Sequence, residues 1–198
     1  MISNPKSYSD ACALLLSGGK SSRMGQDKAR IVLEKIELLK QHSLDLKNTF
    51  NSGFVISNYK DHRGLSALPL IYDETPFQGP LSAIATGLKH CDSEWVFVFP
   101  VDIPKIDFSW VQQLWDAKDD RQVCLFENKE NILEPLFALY HKSVLGTFED
   151  ALKKQNLSLH KAIKKTKYKV IKLEKHNRII NINTPEDLLK FQQKPSTQ

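Results

Sequence analysis

The chain has 198 residues, 41% of them hydrophobic and 26% charged, with a formal net charge of +5. That balance is the one a single globular domain with a buried core requires, and no apolar run approaches the length of a membrane span. Cys12, Cys91 and Cys124 are odd in number and scattered mostly inside apolar runs, which buried thiols in a reducing cytoplasm explain better than disulfides or metal ligation. The positive charge suits a polyanionic partner and does not choose among a nucleotide, a nucleic acid and an acidic protein.

The first ten residues are polar, lack the apolar core of a signal peptide and read as a flexible arm, 1–10. Residues 11–16 form a short apolar run of the kind a strand buried on both faces shows. It stops at Ser17-Gly18-Gly19 and is followed by the cations Lys20, Arg23 and Lys28, with Gly25 as a second flexible point. Ile36, Leu39, Ser43, Leu46 and Phe50 recur at helical spacing, and Phe54-Val55-Ile56 reads as a second buried strand ending at Ser57-Asn58. Residues 59–67 read as loop, and 68–72 as a short strand that delivers Asp73.

Pro80 is placed as the first residue of a helix whose Leu81, Ile84, Ala85 and Leu88 share a face. Trp95-Val96-Phe97-Val98-Phe99 is the clearest strand, and it runs into Pro100-Val101-Asp102-Ile103-Pro104. Ser109 can cap a helix bearing Trp110, Leu114 and Trp115. Strands follow at 122–126 and 136–140, amphipathic helices at 144–154 and 159–165, and further strands at 168–173 and 178–181. Thr184-Pro185-Glu186-Asp187 opens a last helix with an N-cap, a first-position proline and first-turn acids, and 194–198 reads as a frayed tail. This alternation predicts an α/β, single-domain, doubly wound and mostly parallel sheet. In such sheets ligands lie beyond the carboxyl ends of the strands, so Ser17, Ser57, Asp73 and Asp102 should converge on one cleft.

A strand running into a glycine turn rich in cations suits a triphosphate, because backbone N–H groups can face its oxygens while Lys and Arg neutralise charge. The stretch is neither a Walker A loop nor G-x-G-x-x-G, and an ordinary strand-to-helix turn with solvated charges explains it equally well. Asp102, on a loop stiffened by two prolines, is the best metal candidate, since Mg²⁺ takes one or two protein carboxylates and fills its shell with water and phosphate. A turn aspartate capping nearby backbone is the plainer reading for both Asp102 and Asp73.

The segment Leu16-Ser17-Gly18-Gly19-Lys20-Ser21-Ser22-Arg23-Met24-Gly25-Gln26-Asp27-Lys28 resembles the L-A-G-G-x-x-x-R-M-G-x-D-K signature of molybdenum cofactor guanylyltransferases, the MobA family. Four later segments resemble the same family. Pro100-Val101-Asp102-Ile103-Pro104 is similar to its P-C-D-x-P, with Val101 for the cysteine, and Gly79-Pro80-Leu81 to its G-P-L. Glu134-Pro135-Leu136-Phe137-Ala138-Leu139-Tyr140 and Asn181-Ile182-Asn183-Thr184-Pro185-Glu186-Asp187-Leu188 are similar to its acceptor-side strand and its N-x-N-T-P-E-D/E-L. Phe77 and Ala83 depart from it by standing where glycines are common.

The resemblance implies a Rossmann-like nucleotidyltransferase over 1–198 that joins GMP from GTP to the phosphate of molybdopterin. It implies Leu16, Ser17, Gly18, Gly19, Lys28, Asp73 and Asp102 at the GTP, Arg23, Lys28 and Asp102 in catalysis, and Mg²⁺ on Asp102. Gly79, Asn181 and Asn183 fall to molybdopterin, and the expectation is that the two substrates occupy different ends of one cleft. Partners implied are GTP, molybdopterin, and the proteins that insert molybdenum or receive the cofactor. Two alternatives stay open: a relative using CTP or another phosphorylated acceptor, and a non-catalytic nucleotide-binding module. Residues 161–175 are dense in lysine but lack the aromatic interleaving of single-strand binders, so nucleic acid is not the expected partner. The six histidines show no metal-ligand spacing, and no hydrolase signature appears.

Overall fold

Strand β1 (Tyr8–Ser17) sits in the middle of a seven-stranded sheet and divides the interior in two. Its side chains alternate: Ala11, Ala13 and Leu15 enter one hydrophobic cluster, while Cys12, Leu14 and Leu16 enter the other. A strand with this double burial has no use for polar residues, which is why the run is apolar at every position from 11 to 16. The computed structural model describes residues 8–19, 27–33, 35–173 and 179–193. Within the segment read as an arm, Tyr8 is already buried, stacked on Phe50 at 5.1 Å.

After β1 come a 3₁₀ turn (Lys28–Arg30), a short hairpin of β2 (Val32–Leu33) and β3 (Ile36–Glu37), helix α1 (Leu38–Thr49) and strand β4 (Phe50–Ser57). A second 3₁₀ segment (Lys60–Leu65), β5 (Leu70–Tyr72), α2 (Pro80–His90), β6 (Trp95–Pro100) and α3 (Phe108–Asp116) follow. The remainder comprises β7 (Val123–Glu127), β8 (Leu133–His141), a 3₁₀ turn leading into α4 (Leu145–Lys153), α5 (Leu159–Ile163), β9 (Tyr168–Lys172) and α6 (Pro185–Gln192). The main sheet runs β5-β4-β1-β6-β8-β7-β9. Pairs β5/β4, β4/β1, β1/β6 and β7/β9 are parallel, and only β8 runs against its neighbours.

Helices cover both faces, as the doubly wound expectation requires. Leu38, Leu39 and Leu46 of α1 and Val111 and Leu114 of α3 fill one side; α2, α4 and α5 supply Leu81, Ile84, Phe148, Leu159 and Ile163 to the other. Helix α2 lies so close to β1 that a Cβ on Gly87 would sit 2.1 Å from Leu14 Cδ1. Among the described residues no helix is long and apolar enough to cross a membrane.

Several local expectations change. The cap of α3 is Asp107, whose Oδ1 accepts from Ser109 N at 2.9 Å and Ser109 Oγ at 2.6 Å, so Ser109 lies inside the helix. Of the strand read at 178–181, residue 178 lies outside the described residues, and 179–183 runs without sheet pairing. Strand β8 is longer than 136–140, and the β2/β3 hairpin has no alternating run to announce it.

His42 of α1 is buried edge-on to Phe99, with ring centroids 5.1 Å apart, and burial lowers its pKa from 6.5 to about 4. Between pH 4 and 6.5 the unfolded chain therefore binds more protons, so this contribution is whole above pH 6.5 and is lost as pH falls toward 4. The loss amounts to about 3 kcal/mol. His42→Leu should flatten the pH dependence of the urea midpoint across that window; an unchanged slope would contradict this account.

Candidate functional site

The carboxyl ends of β1, β4 and β6 open on a cavity of about 410 Å³, and all four strand-end residues expected there line it: Ser17, Ser57, Asp73 and Asp102. Leu16, Gly18, Gly19 and Lys28 line it too. Gly18 faces the side chain of Asn58, and a Cβ at position 18 would meet Asn58 Nδ2 at 2.8 Å, so glycine is what lets the two strand ends close together. Asn58 is a residue the sequence reading used only to end a strand. Its Oδ1 is buried with no hydrogen-bond partner among the described residues, leaving an unused acceptor on the cavity wall.

Lys28 is held at the centre. Its Nζ donates to Asp102 Oδ2 at 2.9 Å and to Asn183 Oδ1 at 2.6 Å, both charge-assisted and partly screened from solvent. The partners lie 74 and 155 residues along the chain from Lys28. Asp102 follows β6, whose loop is fastened to β1 by Val101 N donating to Leu16 O at 2.9 Å. Asn183 precedes α6, and Ile182 N donates to Asp102 O at 2.7 Å. The capping box completes this placement: Asp187 Oδ2 accepts from Asn183 N at 3.0 Å and Thr184 N at 2.9 Å. These N–H groups, Asn183 first, hold the Asp187 carboxyl below its ordinary range.

Beneath the loop lies a buried chain of hydrogen bonds. His62 Nε2 contacts Asp27 Oδ2 at 2.6 Å, and its Nδ1 lies 3.1 Å from Ser17 Oγ and 2.9 Å from Ser57 Oγ. A proton on Nε2 lets His62 donate to the carboxylate while Nδ1 accepts from Ser17; Ser57 Oγ then donates to Ser17 O at 2.9 Å. Asp27 Oδ1 accepts from Ala29 N at 3.0 Å and so starts the 3₁₀ turn that carries Lys28. Ser17 and Ser57 are only 3% and 1% exposed, which makes this Ser–His–Asp arrangement a brace and not a nucleophile.

Asp73 is buried, and its Oδ1 accepts from Ser82 Oγ at 2.6 Å, Thr75 N at 3.1 Å and Thr86 Oγ1 at 3.3 Å. It ties the end of β5 to α2, the turn role that the plainer reading gave it, while still bordering the cavity.

A second cavity of about 330 Å³ adjoins the first, and Pro80, Pro100, Asp102 and Leu136 line both. Asn181 and Asn183 border this second space together with Glu134 and His160. Gly79 lines the first cavity, whereas Asn181 and Asn183 line the second. Asn183, which borders the second cavity, also bonds Lys28, which lines the first. Arg23, Lys20 and Gly25 lie outside the described residues, as does Lys175 of the basic stretch.

No group of three or more metal-ligating side chains occurs among the described residues. Asp102 offers one carboxylate, with Oδ2 on Lys28 and Oδ1 without a hydrogen bond among the described residues. That fits a cation whose shell is completed by a substrate's phosphates and water.

A family described as "MobA-like NTP transferase domain" matches residues 13–170. The chain is 33% identical over 187 residues to a molybdenum cofactor guanylyltransferase of Yersinia pestis, covering 91% of this chain and 94% of that protein. It is 30% identical over 190 residues to the enzyme of the same description from Serratia proteamaculans, covering 94% and 96%. In fold it is similar to molybdopterin-guanine dinucleotide biosynthesis protein A from Archaeoglobus fulgidus, with a TM-score of 0.78, 19% identity, and coverage of 90% and 95%.

If His62 braces the loop, His62→Leu should strip two buried serines and Asp27 of a partner and lower stability by about 1–3 kcal/mol. Urea denaturation measures this directly. A neutral substitution would show that the brace carries no load.

Proposed function

Since the chain belongs to the MobA-like NTP transferase domain family, we propose that it transfers GMP from GTP to the terminal phosphate of molybdopterin and releases pyrophosphate. The observation that carries this reading is the position of Asp102, with the Lys28 ammonium on it, at the wall common to two cavities. Transfer between two phosphorylated substrates needs charge compensation where they meet, and that wall is the meeting place.

The nucleophile is an oxygen of the molybdopterin phosphate, a monoester whose second ionisation lies near pH ~6, so no side chain has to remove a proton. It attacks the α-phosphorus of GTP; the new P–O bond forms as the bond to the β-phosphate bridging oxygen breaks, and pyrophosphate leaves with its electrons. Positioning and electrostatics supply the catalysis. Lys28 neutralises phosphate charge, released toward the triphosphate from its contacts with Asp102 and Asn183. Asp102 would hold a divalent cation, Mg²⁺ on this reading, which supplies further neutralisation of the triphosphate. The backbone from Leu16 to Gly19 and the unused acceptor of Asn58 face the base, where guanine presents N1–H and a 2-amino group as donors. Asp73 keeps the neighbouring wall in place, and Arg23 adds a cation to the loop. Proteins that insert molybdenum or receive the finished cofactor are the macromolecular partners. The three thiols, all buried, suit a reducing cytoplasm.

The deciding experiment offers the protein ATP, CTP, GTP, UTP and ITP with Mg²⁺ and molybdopterin and measures pyrophosphate. GTP should be preferred, and ITP, lacking the 2-amino donor, should fall about tenfold in kcat/KM. A preference for CTP would replace guanylyl transfer by the cytidylyl reaction. No turnover with any nucleotide would favour a binding module.

Asp102→Asn keeps the side chain's size while removing its charge. Turnover should fall by about 100-fold or more with an unchanged melting temperature, and raising Mg²⁺ should restore little. Near-wild-type turnover would remove Asp102 from the metal role.

A further inference from the structure

The second cavity contains a carboxylate that the transfer chemistry does not use. Strand β8 delivers it through an irregularity. On β7, Leu125 pairs with Ala138 and its neighbour Phe126 pairs with Glu134, so residues 135–137 of β8 have no opposite partner. A bulge of this kind bends a strand and re-aims its side chains, and bulges are frequent beside active sites. This one is pinned from within: the hydroxyl of Tyr140, fully buried, donates to Pro135 O at 2.7 Å. Glu134, the paired residue that immediately precedes the bulge, and Leu136 within it both line the cavity.

Glu134 is oriented. Its Oε1 accepts from Asn128 Nδ2 at 3.1 Å, and Asn128 is itself fixed by Oδ1 accepting from Glu130 N and Ile132 N, each at 3.0 Å. No Lys, Arg or His forms an ion pair with Glu134 among the described residues, and its Oε2 has no hydrogen bond there. Burial raises its pKa, as expected for a carboxyl short of compensating donors. An oriented carboxylate in a cavity, with lone pairs to spare, is a receptor for a pair of parallel N–H donors, the geometry that carboxylates also meet in a guanidinium fork.

We infer that Glu134 is a specificity residue of the acceptor site and receives the 2-amino and N3–H donors of the pterin ring. The inference rests on the guanylyl-transfer reading for its ligand. It follows from the shape of the site. The acceptor's phosphate must lie at the shared wall with Asp102, so its ring extends along the second cavity, where Asn181, His160 and Glu134 are. Amides can donate to and accept from the ring, whereas a carboxylate only accepts and therefore selects for the donor edge. Guanine carries the same donor edge, so the assignment of Glu134 to one ring or the other is open to direct measurement.

The test uses the full chain and its Glu134→Gln variant, with two probes, 6-hydroxymethylpterin and 6-hydroxymethyllumazine; the lumazine has an oxo group in place of the 2-amino group. Binding is followed by pteridine fluorescence, which needs no turnover, alongside KM for molybdopterin and for GTP. The wild type should bind the pterin about tenfold more tightly than the lumazine, and Glu134→Gln should abolish that preference. The variant should also raise KM for molybdopterin about tenfold while KM for GTP stays within about twofold. Equal affinity of the wild type for the two pteridines overturns the inference, as does an unchanged preference in a variant of wild-type melting temperature. A rise in KM for GTP alone would move Glu134 to the nucleotide and overturn it as well. Failure of the parent reading looks different: the wild type would discriminate between the pteridines yet transfer no GMP.

Discussion

The site depends on one ammonium group held between two partners. Lys28 Nζ bonds Asp102 and Asn183 at once, and a cation with fewer partners at that depth would pull solvent into the junction between the cavities. The three residues belong to the first strand's loop, the fourth main-sheet strand's loop and the start of the last helix. Holding the ammonium in place therefore fixes the ends of three distant segments against one another. Each also has its own fastening: the Asp27–His62 brace, the β1-to-β6 loop bond, and the α6 capping box. These fastenings hold the backbone at all three residues and leave the lysine side chain as the part that can move.

The reversed strand matters for the second cavity. A sheet that continued in parallel beyond β6 would present another strand end at the first cavity. Because β8 runs antiparallel to both neighbours, it brings its early residues to that edge. Glu134, just before its bulge, and Leu136, within it, line the second space. Tyr140, whose hydroxyl answers the carbonyl of Pro135, shows how the core bears the irregularity without stranding a polar group.

The two cavities are joined by construction. Asn183 borders the second cavity and bonds the loop lysine, while Asp102, Pro80, Pro100 and Leu136 belong to both walls. Binding on one side that draws Lys28 toward phosphate necessarily alters what Asn183 offers on the other.

The amino-acid sequence by itself determined the α/β alternation, the buried first strand, the strand-end placement of Ser17, Ser57, Asp73 and Asp102, and the capped start of α6. Each is written in local chemistry: period-two or period-3.6 burial, a glycine turn, a proline at a first helical position. The resemblance carried by the 16–28 segment named the family for the same reason, since its residues are contiguous. Tertiary structure alone decided the antiparallel course of β8, the burial of His62 among two serines and Asp27, the unused acceptor of Asn58, and the union of Lys28 with Asn183. Those features pair residues far apart in the chain or depend on strand direction and bulge register. Hydropathy cannot encode them, because an apolar strand reads the same in either direction and a polar side chain shows its partner only once the fold has brought them together.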